Sequence, residues 1–278
     1  MADDRPVGVF DSGVGGLTVA RAILELLPGE PLLYVGDTAR FPYGPRPLEE
    51  IRRFGLEIAR YLVDRGVKLL VVACNSVEVA AIQDVAGAAG VPVVGVVDPG
   101  ARAGVLATRN GRVGMIGTEA TVKSGAYDRA VEGTGRDVRL FSQACPAFVE
   151  FVERGDTSSP ELFEAAREYL GPLREAGVDT LILGCTHYPM LSGLIAEVMG
   201  RDVVLISSAD ETAKDVYAAL VEGGLLSAGR SPVHEFVCTG EPAQFRAVAE
   251  HFLGPSIPEV RLAVPGGFRA AVGADPWT

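Results

Sequence analysis

The sequence predicts an α/β protein with two similar domains, each built on a doubly wound parallel sheet. Short Val/Ile/Leu-rich runs alternate with helix-length amphipathic segments along the 278 residues, a pattern typical of parallel strands joined by crossover helices. Two apolar runs, 67–76 and 178–187, each end in a cysteine followed by small polar residues, and 6–12 matches 112–118 upstream. This similarity indicates pseudo-symmetric halves with one thiol each at a strand's carboxyl end. A substrate in the cleft between them would have a thiol on either side.

The individual elements follow from the same pattern. Strands are predicted at the β-branched runs near residues 6–10, 31–35, 67–73, 92–97, 112–116, 138–141, 179–184, 202–206 and 233–238. Helices are predicted at the amphipathic stretches near residues 16–27, 48–65, 76–89, 121–132, 146–154, 160–176, 190–199, 210–223 and 242–253. Turn residues at 97–100 mark the end of the first half, and those at 207–210 mark the end of the second.

These turns predict the domain organisation. The first domain comprises residues 1–98 together with 210–255, since the second repeat is already complete before the helix that begins at 210. Residues 99–209 form the second domain. Residues 256–278 are rich in Pro and Gly and form a C-terminal tail, which is either an ordered strap or loose chain.

Composition excludes several classes of protein. A net charge of −11 argues for solubility and against general affinity for nucleic acid or for an anionic membrane. No run approaches the roughly 18 uninterrupted apolar residues of a membrane span. The first residues are polar and acidic, without an apolar signal region, so a cytoplasmic location is expected. A disulfide framework is not expected, because the four cysteines are widely separated and show no clustered spacing.

Cys74 and Cys185 are the strongest candidates for chemistry. A free cysteine is most often a small core hydrophobe. Here, however, both lie where a strand ends and a helix begins, and helix-start N–H groups or a nearby histidine lower a thiol pKa from its usual value of about 8.5. One thiol on each side of a cleft suits a reaction that needs an acid and a base on opposite faces of one carbon. Cys145 and Cys238 lack such surroundings and are interpreted as structural.

The turn at residues 11–16, Asp-Ser-Gly-Val-Gly-Gly, is a second candidate. It matches neither of the common phosphate-loop patterns, and its simplest interpretation is a tight turn whose glycines supply unusual backbone angles. Strand-end turns of neighbouring strands nevertheless line one crevice in doubly wound sheets. Asp11 could then reach Cys74 as a proton-handling or orienting partner, with Ser12 binding substrate.

Other polar groups are weaker candidates. Residues 36–45 form a loop that is either a structural corner or a substrate cover. By default Glu153 would be a solvated helix residue. A zinc site is not expected, because the chain has no closely spaced ligand pair such as C-x₂-C, and His234 and His251 are interpreted as ordinary surface or core residues.

Six segments together resemble the glutamate racemases: VGVFDSGVGGLTV, GDTARFPYG, ACNS, GTEATVKSGAY, ACPAFVEFVE and LGCTHYP. The similarity runs from Val7 to about Val216. It implies the interconversion of L- and D-glutamate without a cofactor, supplying D-glutamate for peptidoglycan, by a homodimer. A pyridoxal enzyme needs a Schiff-base lysine, and none of the three lysines (Lys68, Lys123 and Lys214) lies in a glycine-rich cofactor loop.

The resemblance also implies roles for individual residues. Cys74 takes the proton from D-glutamate and Cys185 takes it from L-glutamate, supported by Asp11 and His187 respectively. Glu153 matches an auxiliary carboxylate. Substrate contacts are implied at or near two sets of positions, one in each half: Asp11, Ser12, Tyr43, Gly44, Asn75 and Ser76 in the first, and Thr118, Thr121, Thr186 and His187 in the second.

Three positions depart from the family pattern. Ser76 stands where many members have Thr and keeps the hydroxyl, so carboxylate binding should survive. Ser207-Ser208 and Glu150-Phe151 replace a common Asp-Ser and Pro-Leu, and these changes are expected to affect loop contacts or subunit packing rather than the reaction. Two alternatives stay open: a racemase for aspartate or another small acid, and a binding or inhibitory protein built on this fold.

Overall fold

A computed structural model describes residues 2–229, 232–253 and 260–263. Its strands are β1 (Val7–Asp11), β2 (Leu32–Gly36), β3 (Leu69–Val72), β4 (Val93–Val94), β5 (Arg112–Gly117), β6 (Arg139–Ala144), β7 (Thr180–Gly184), β8 (Val204–Ser207), β9 (His234–Cys238) and β10 (Val260–Leu262). Its helices are α1 (Leu17–Leu26), α2 (Leu48–Asp64), α3 (Asn75–Ala89), α4 (Val97–Ala107), α5 (Glu119–Lys123), α6 (Ala126–Gly133), α7 (Ala147–Glu153), α8 (Pro160–Glu175), α9 (Ser192–Met199), α10 (Ala209–Glu222) and α11 (Pro242–Leu253). A 3₁₀ turn, Tyr188–Leu191, precedes α9.

The strands form two sheets with the same internal order. One runs β10-β9-β2-β1-β3-β4 and the other β6-β5-β7-β8, and every strand pairing among the described residues is parallel. The order β2-β1-β3-β4 in the first sheet therefore corresponds to β6-β5-β7-β8 in the second. Strands β1, β2, β3 and β7 are buried throughout, which explains their continuous apolar sequences. The predicted fold class is confirmed.

Helices cover both faces of each sheet. In the first sheet, Val7 and Val9 pack toward α1 and α10, and Phe10 packs toward α2 and α3 on the opposite face. In the second, Val113 belongs to a cluster with α4 and α6, and Ile116 to a cluster with α7, α8 and α9. Strand β9 pairs with β2, so chain from beyond residue 210 extends the first sheet. The domain bounds given above remain a prediction.

The main error in the predicted elements lies between the two halves. The turn expected at 97–100 is wrong, because helix α4 begins at Val97 and the preceding strand is only Val93–Val94. Pro99 sits in the first turn of α4, where its missing N–H removes no hydrogen bond from the helix. The helix expected at 121–132 is two helices separated at Gly125, whose φ is +63°.

The predicted C-terminal tail is described only in part. Val260–Leu262 form strand β10, which pairs with β9 and was not predicted, while 256–259 and 264–278 lie outside the described residues. His251 lies within α11. In the part of the chain that the structure describes, no helix has the length and apolar character needed to cross a membrane.

A buried ion pair beside the first sheet joins segments that lie far apart in the sequence. Lys68 Nζ lies 2.5 Å from Glu30 Oε2 and donates to the Asp3 carbonyl at 2.6 Å. The other carboxylate oxygen of Glu30 accepts from the Ser227 N–H at 2.7 Å. The Lys68 and Glu30 side chains are 0% and 5% exposed, so neither charge has water as an alternative partner. Removing one partner would therefore leave the other uncompensated.

Replacing Lys68 with alanine should reduce the free energy of unfolding by about 3–5 kcal/mol, because the Glu30 carboxylate would stay buried without its cation. Equilibrium urea denaturation at neutral pH measures this change. Lys214→Ala is the control, since that exposed lysine pairs with Glu211 on the same helix and should contribute little. Equal effects of the two substitutions would contradict the argument.

Candidate active site

The carboxyl ends of strands from both sheets meet at one cavity of about 180 Å³. Parallel strands place their following turns at the same sheet edge, which is why residues far apart in sequence converge there. The lining residues from the first half are Ser12, Phe41, Pro42, Tyr43, Gly44, Pro45, Cys74, Asn75 and Ser76. Those from the second half are Thr118, Glu119, Pro146, Val149, Glu150, Cys185, Thr186 and His187.

Both candidate thiols line this cavity. Cys74 follows β3 and is the N-cap residue of α3, and Cys185 follows β7 just before the 3₁₀ turn. The Cys74 thiol donates to Ser12 Oγ at 3.6 Å, and Cys185 Sγ lies 3.8 Å from His187 Nδ1. The repeated motif in the sequence thus corresponds to two thiols at one cavity, each with a different polar neighbour.

The Cys74 thiol is held in its protonated form. Burial raises its pKa, and the charge of Asp11 raises it further, to about 12 despite opposing hydrogen bonds that involve Ser12 and the Val77 N–H. The helix-start N–H of Val77 lowers this pKa as expected, but burial and the charge of Asp11 outweigh it. A thiol removed from water loses the hydration that stabilises its anion, and this loss exceeds the gain from nearby donors.

Asp11 connects the two halves instead of binding Cys74 directly. It is fully buried; its Oδ2 accepts from the Gly13 N–H at 2.9 Å and its Oδ1 accepts from Thr186 Oγ1 at 3.3 Å. Among the hydrogen bonds of the described residues, none joins Asp11 to the Cys74 thiol. Burial raises the pKa of Asp11, while the positive charge of His187 opposes that increase. The influence of Asp11 on Cys74 is consequently electrostatic.

His187 lies between a thiol and a carboxylate. Its Nε2 is 2.6 Å from Glu153 Oε1, on the opposite side of the ring from Cys185. Burial alone lowers the pKa of His187, but its hydrogen bonds with Cys185 and Glu153, and the charges of both groups, raise it well above its ordinary value. These contacts therefore favour the protonated form of the buried imidazole. The default interpretation of Glu153 as a solvated residue is wrong.

The glycines of the 11–16 turn allow the two halves of the protein to approach each other closely. None of Gly13, Gly15 and Gly16 has a positive φ. The interpretation that these glycines supply unusual backbone angles is therefore wrong. A Cβ at Gly15 would lie 2.5 Å from Thr186 Oγ1 and 2.6 Å from His187 Nδ1. No side chain larger than hydrogen fits there, and the contact brings the second thiol's turn against the first half.

A row of neutral hydrogen-bonding groups forms another wall of the cavity. Asn75 Oδ1 accepts from the Tyr127 hydroxyl at 2.8 Å, whereas Asn75 Nδ2 is buried without a partner among the described residues. Ser76 Oγ lies 3.0 Å from Thr118 Oγ1, which is 3.1 Å from Thr121 Oγ1. An unpaired buried donor costs about 1–3 kcal/mol, so a ligand acceptor at Asn75 would recover that energy.

The structure divides the predicted binding residues into two groups. Ser12, Tyr43, Gly44, Asn75, Ser76, Thr118, Thr186 and His187 line the cavity. Asp11 and Thr121 lie behind the lining, because their side chains are fully buried and bond to Thr186 and Thr118 respectively. The hydroxyl of Tyr43 donates to Asp37 and so is already engaged.

Sequence reasoning missed part of the lining. Glu119, Pro146, Val149 and Glu150 lie within two of the segments that carry the family resemblance but were not named as substrate contacts. The departure at Glu150 was expected to affect loop contacts or subunit packing, and α7 presents this residue to the cavity. Its spacing of three residues from Glu153 on one helix was the available signal.

The remaining cysteines and histidine fit their structural interpretation. Cys145 and Cys238 are buried away from the lining, and burial raises the thiol pKa of Cys145 and that of Cys238, the latter to about 11. His234 is partly buried on β9, and burial lowers its pKa. Among the residues described, no group of three or more His, Cys, Asp or Glu side chains could hold a metal ion.

The lining of the cavity combines two thiols with neutral hydrogen-bonding groups and one imidazole. Among the described residues, no Lys or Arg belongs to its lining, so an anion there would bind through hydroxyls, the Asn75 amide, helix-start N–H groups and the His187 imidazole. Thiols are among the groups that can act as general acids and bases, and two of them from equivalent turns line this one cavity. The fold and site together are those of an α/β protein with paired thiols between two similar halves.

The chain belongs to the Asp/Glu/Hydantoin racemase family, whose sequence profile matches residues 7–216. It is 57% identical over 257 residues to the glutamate racemase of Acidothermus cellulolyticus, covering 92% of this chain and 97% of that one. It is 53% identical over 262 residues to the glutamate racemase of Mycobacterium tuberculosis, covering 94% and 96%. The resemblance inferred from the sequence motifs is confirmed.

Solved structures of the family share this fold. The glutamate racemase of Francisella tularensis in complex with D-glutamate superimposes with a TM-score of 0.88 at 35% identity, covering 94% of this chain and 98% of that one. The Thermus thermophilus glutamate racemase in complex with β-chloro-D-alanine gives a TM-score of 0.84 at 47% identity, covering 95% and 98%.

Replacing Asp11 with asparagine should lower the pKa of the Cys74 thiol, because it removes a negative charge that disfavours the thiolate. The rate of Cys74 alkylation by iodoacetamide, followed by peptide mass spectrometry, should then rise at a lower pH than in the wild-type protein. Asp84→Asn, at an exposed carboxylate paired with Arg52, should leave this profile unchanged. An unchanged or higher midpoint in Asp11→Asn would contradict the electrostatic role.

Proposed function

We propose that this protein is a cofactor-independent glutamate racemase, interconverting L- and D-glutamate and supplying D-glutamate for peptidoglycan synthesis. The observation that carries the proposal is the convergence of Cys74 and Cys185 on one cavity from matching strand ends. Family membership supports the substrate, since relatives that are 57% and 53% identical to this chain are named glutamate racemases and one solved relative is in complex with D-glutamate.

The reaction needs one base and one acid on opposite faces of the α-carbon. The thiolate of one cysteine removes the α-proton, and the C–H bonding electrons remain as a carbanion-like pair. The thiol of the other cysteine then donates its proton to the opposite face and becomes the thiolate. No external oxidant, reductant or proton source is consumed, and the reverse reaction exchanges the two roles.

Cys185 acts as the base toward L-glutamate and Cys74 as the base toward D-glutamate. His187, held as a cation by Glu153, stabilises the Cys185 thiolate at 3.8 Å. Cys74 keeps its proton because its pKa is raised, so it is ready to donate when L-glutamate reacts. Asp11 supports the Cys74 side through its charge and its bond to Thr186.

Neutral donors bind the substrate carboxylates and stabilise the developing charge. Asn75 Nδ2 is the unpartnered donor, and the hydroxyls of Ser12, Ser76, Thr118 and Thr186 stand beside it in the lining. Donors fixed in place before the reaction need no reorganisation when the carbanion forms. Tyr43 and Gly44 complete the wall, and Thr121 holds Thr118 from behind.

The proposal is tested by incubating the purified, metal-free and pyridoxal-free protein with L-glutamate and following optical rotation. Rotation should decay to zero, and D-glutamate should give the mirror-image decay. Strict dependence on added pyridoxal phosphate or zinc would contradict the mechanism. A kcat/KM for aspartate comparable to that for glutamate would instead assign a broad-specificity racemase, and an inert protein that binds glutamate would favour a binding function.

Substituting either catalytic cysteine separates the two faces of the reaction. Cys74→Ala and Cys185→Ala should each abolish racemisation, because a turnover requires both a base and an acid. Deprotonation alone suffices when the substrate carries a β-leaving group, which departs with the electron pair. Cys74→Ala should therefore still eliminate from the L-analogue and Cys185→Ala from the D-analogue.

Cys238→Ala is the matched control, since this buried cysteine lies on β9 away from the cavity, and it should racemise glutamate normally. Near wild-type racemisation by either catalytic variant would refute the two-thiol mechanism. Reversed elimination preferences would keep the mechanism and exchange the assigned faces.

We further propose that the enzyme is a cytoplasmic homodimer without direct binding to nucleic acid. Light scattering at micromolar concentration should give the mass of two chains, because closed two-fold dimers are the commonest assembly of soluble enzymes. A monomeric mass with and without glutamate would contradict this prediction.

A further inference from the structure

The loop between β2 and α2 forms one side of the proposed active site, and a single buried carboxylate organises it. Residues 41–45 of this loop line the cavity. Asp37 is fully buried, and its Oδ2 accepts from Arg40 Nε at 2.6 Å and from the Tyr43 hydroxyl. The Asp37 N–H also donates to the Asp11 carbonyl at 3.0 Å. One side chain therefore ties the loop to itself and lies next to the glycine turn.

The other oxygen of Asp37 is bound from the far end of the chain. Thr239, which follows β9 and is 5% exposed, donates its hydroxyl to Asp37 Oδ1 at 2.6 Å. The same Thr239 Oγ1 accepts from the Ala39 N–H at 3.0 Å. The adjacent Gly240 N–H donates to Thr38 Oγ1 at 3.0 Å, so the two segments are bonded at three points.

The hydroxyl of Thr239 uses both its donor and its acceptor capacity on this loop. A side chain of the same shape without the hydroxyl would leave one oxygen of the buried Asp37 carboxylate without a partner and would remove the acceptor of the Ala39 N–H. The loop could then satisfy them only by moving toward water. Such a movement would shift Tyr43 through its bond to Asp37, and with it Gly44.

A movement of Gly44 would directly displace the neighbouring residues that line the cavity. A Cβ at Gly44 would lie 3.1 Å from Thr118 Cβ, so the backbone packs closely on that threonine. Thr118 in turn bonds Ser76 across the cavity wall. The path from Thr239 to the wall is thus a continuous series of contacts between buried or partly buried groups.

We propose that Thr239 is a positioning residue for the substrate-binding loop, acting through Asp37. Thr239 is not part of the cavity lining and lies beyond residues 7–216, the segment matched by the family profile. Strand β9 thereby has a role in the active site in addition to extending the first sheet. This inference rests on the proposed racemase function for its kinetic test, and on the loop geometry alone for its structural test.

The kinetic test compares Thr239→Val with Thr239→Ser. The valine variant should raise KM for glutamate about tenfold with a much smaller change in kcat, because the loop contacts substrate while the thiols keep their places. The serine variant keeps the hydroxyl and should restore KM. Thr212→Val is the matched control, since Thr212 on α10 is also fully buried but its hydroxyl has no partner among the described residues.

The structural test measures hydrogen–deuterium exchange of residues 37–45. Thr239→Val should accelerate exchange in this loop, while Thr239→Ser and Thr212→Val should not. A wild-type protein that fails to racemise glutamate would refute the proposed function, and the exchange result would still decide the positioning role.

A second variant covers the case in which Thr239→Val does not fold. Asp37→Asn keeps the side chain's shape but replaces one acceptor oxygen with a donor, so it should raise both KM and loop exchange in the same direction. Wild-type KM and wild-type loop exchange in Asp37→Asn, or in a folded Thr239→Val, would overturn the proposal. Equal loss of kcat in Thr239→Val and Thr212→Val would overturn it as well.

Discussion

The active site depends on how closely two strand-end turns approach each other. A single methyl group at Gly15 would collide with both Thr186 and His187, so the absence of a side chain there is what lets the halves touch. The same contact allows Thr186 to donate to Asp11 and buries the imidazole against the first half. The shared cavity, the paired thiols and the electrostatics of the site all follow from this approach.

Burial of several ionisable groups at that contact is possible because they compensate one another. A lone buried charge is costly, but His187 lies between Glu153 and Cys185 and opposes the increase that burial imposes on the pKa of Asp11. In the part of the chain that the structure describes, no cation plays the same part for Cys74, and its thiol pKa is raised by burial and by Asp11. The halves therefore share a topology but differ in the charged groups beside their thiols, Asp11 near Cys74 and His187 near Cys185.

The two sheets also differ in their number of strands among the described residues. Each contains the same four-strand order, and within the described residues the first alone is extended, by β9 and β10. That extension delivers Thr239 to Asp37 and so reaches the loop at the cavity. Loops are the mobile part of most binding sites, and a loop held by a buried carboxylate can keep a defined wall without a rigid element of its own.

Much of the fold and the two thiol turns could be predicted from the sequence, because buried parallel strands and the residues after them are local patterns. Local patterns also gave a wrong prediction: Asp98-Pro99-Gly100 is typical of a turn, yet it lies within the first turns of α4. The bond between Glu153 and His187 and the place of Asp11 and Thr121 behind the lining could not be predicted, and Glu150 had only its helical spacing from Glu153 as a signal. The sequence by itself determined the fold class, the repeat and the pair of thiols. Only the tertiary structure decided which polar groups are buried together, because desolvation and Coulomb energies depend on distances between segments far apart in the chain.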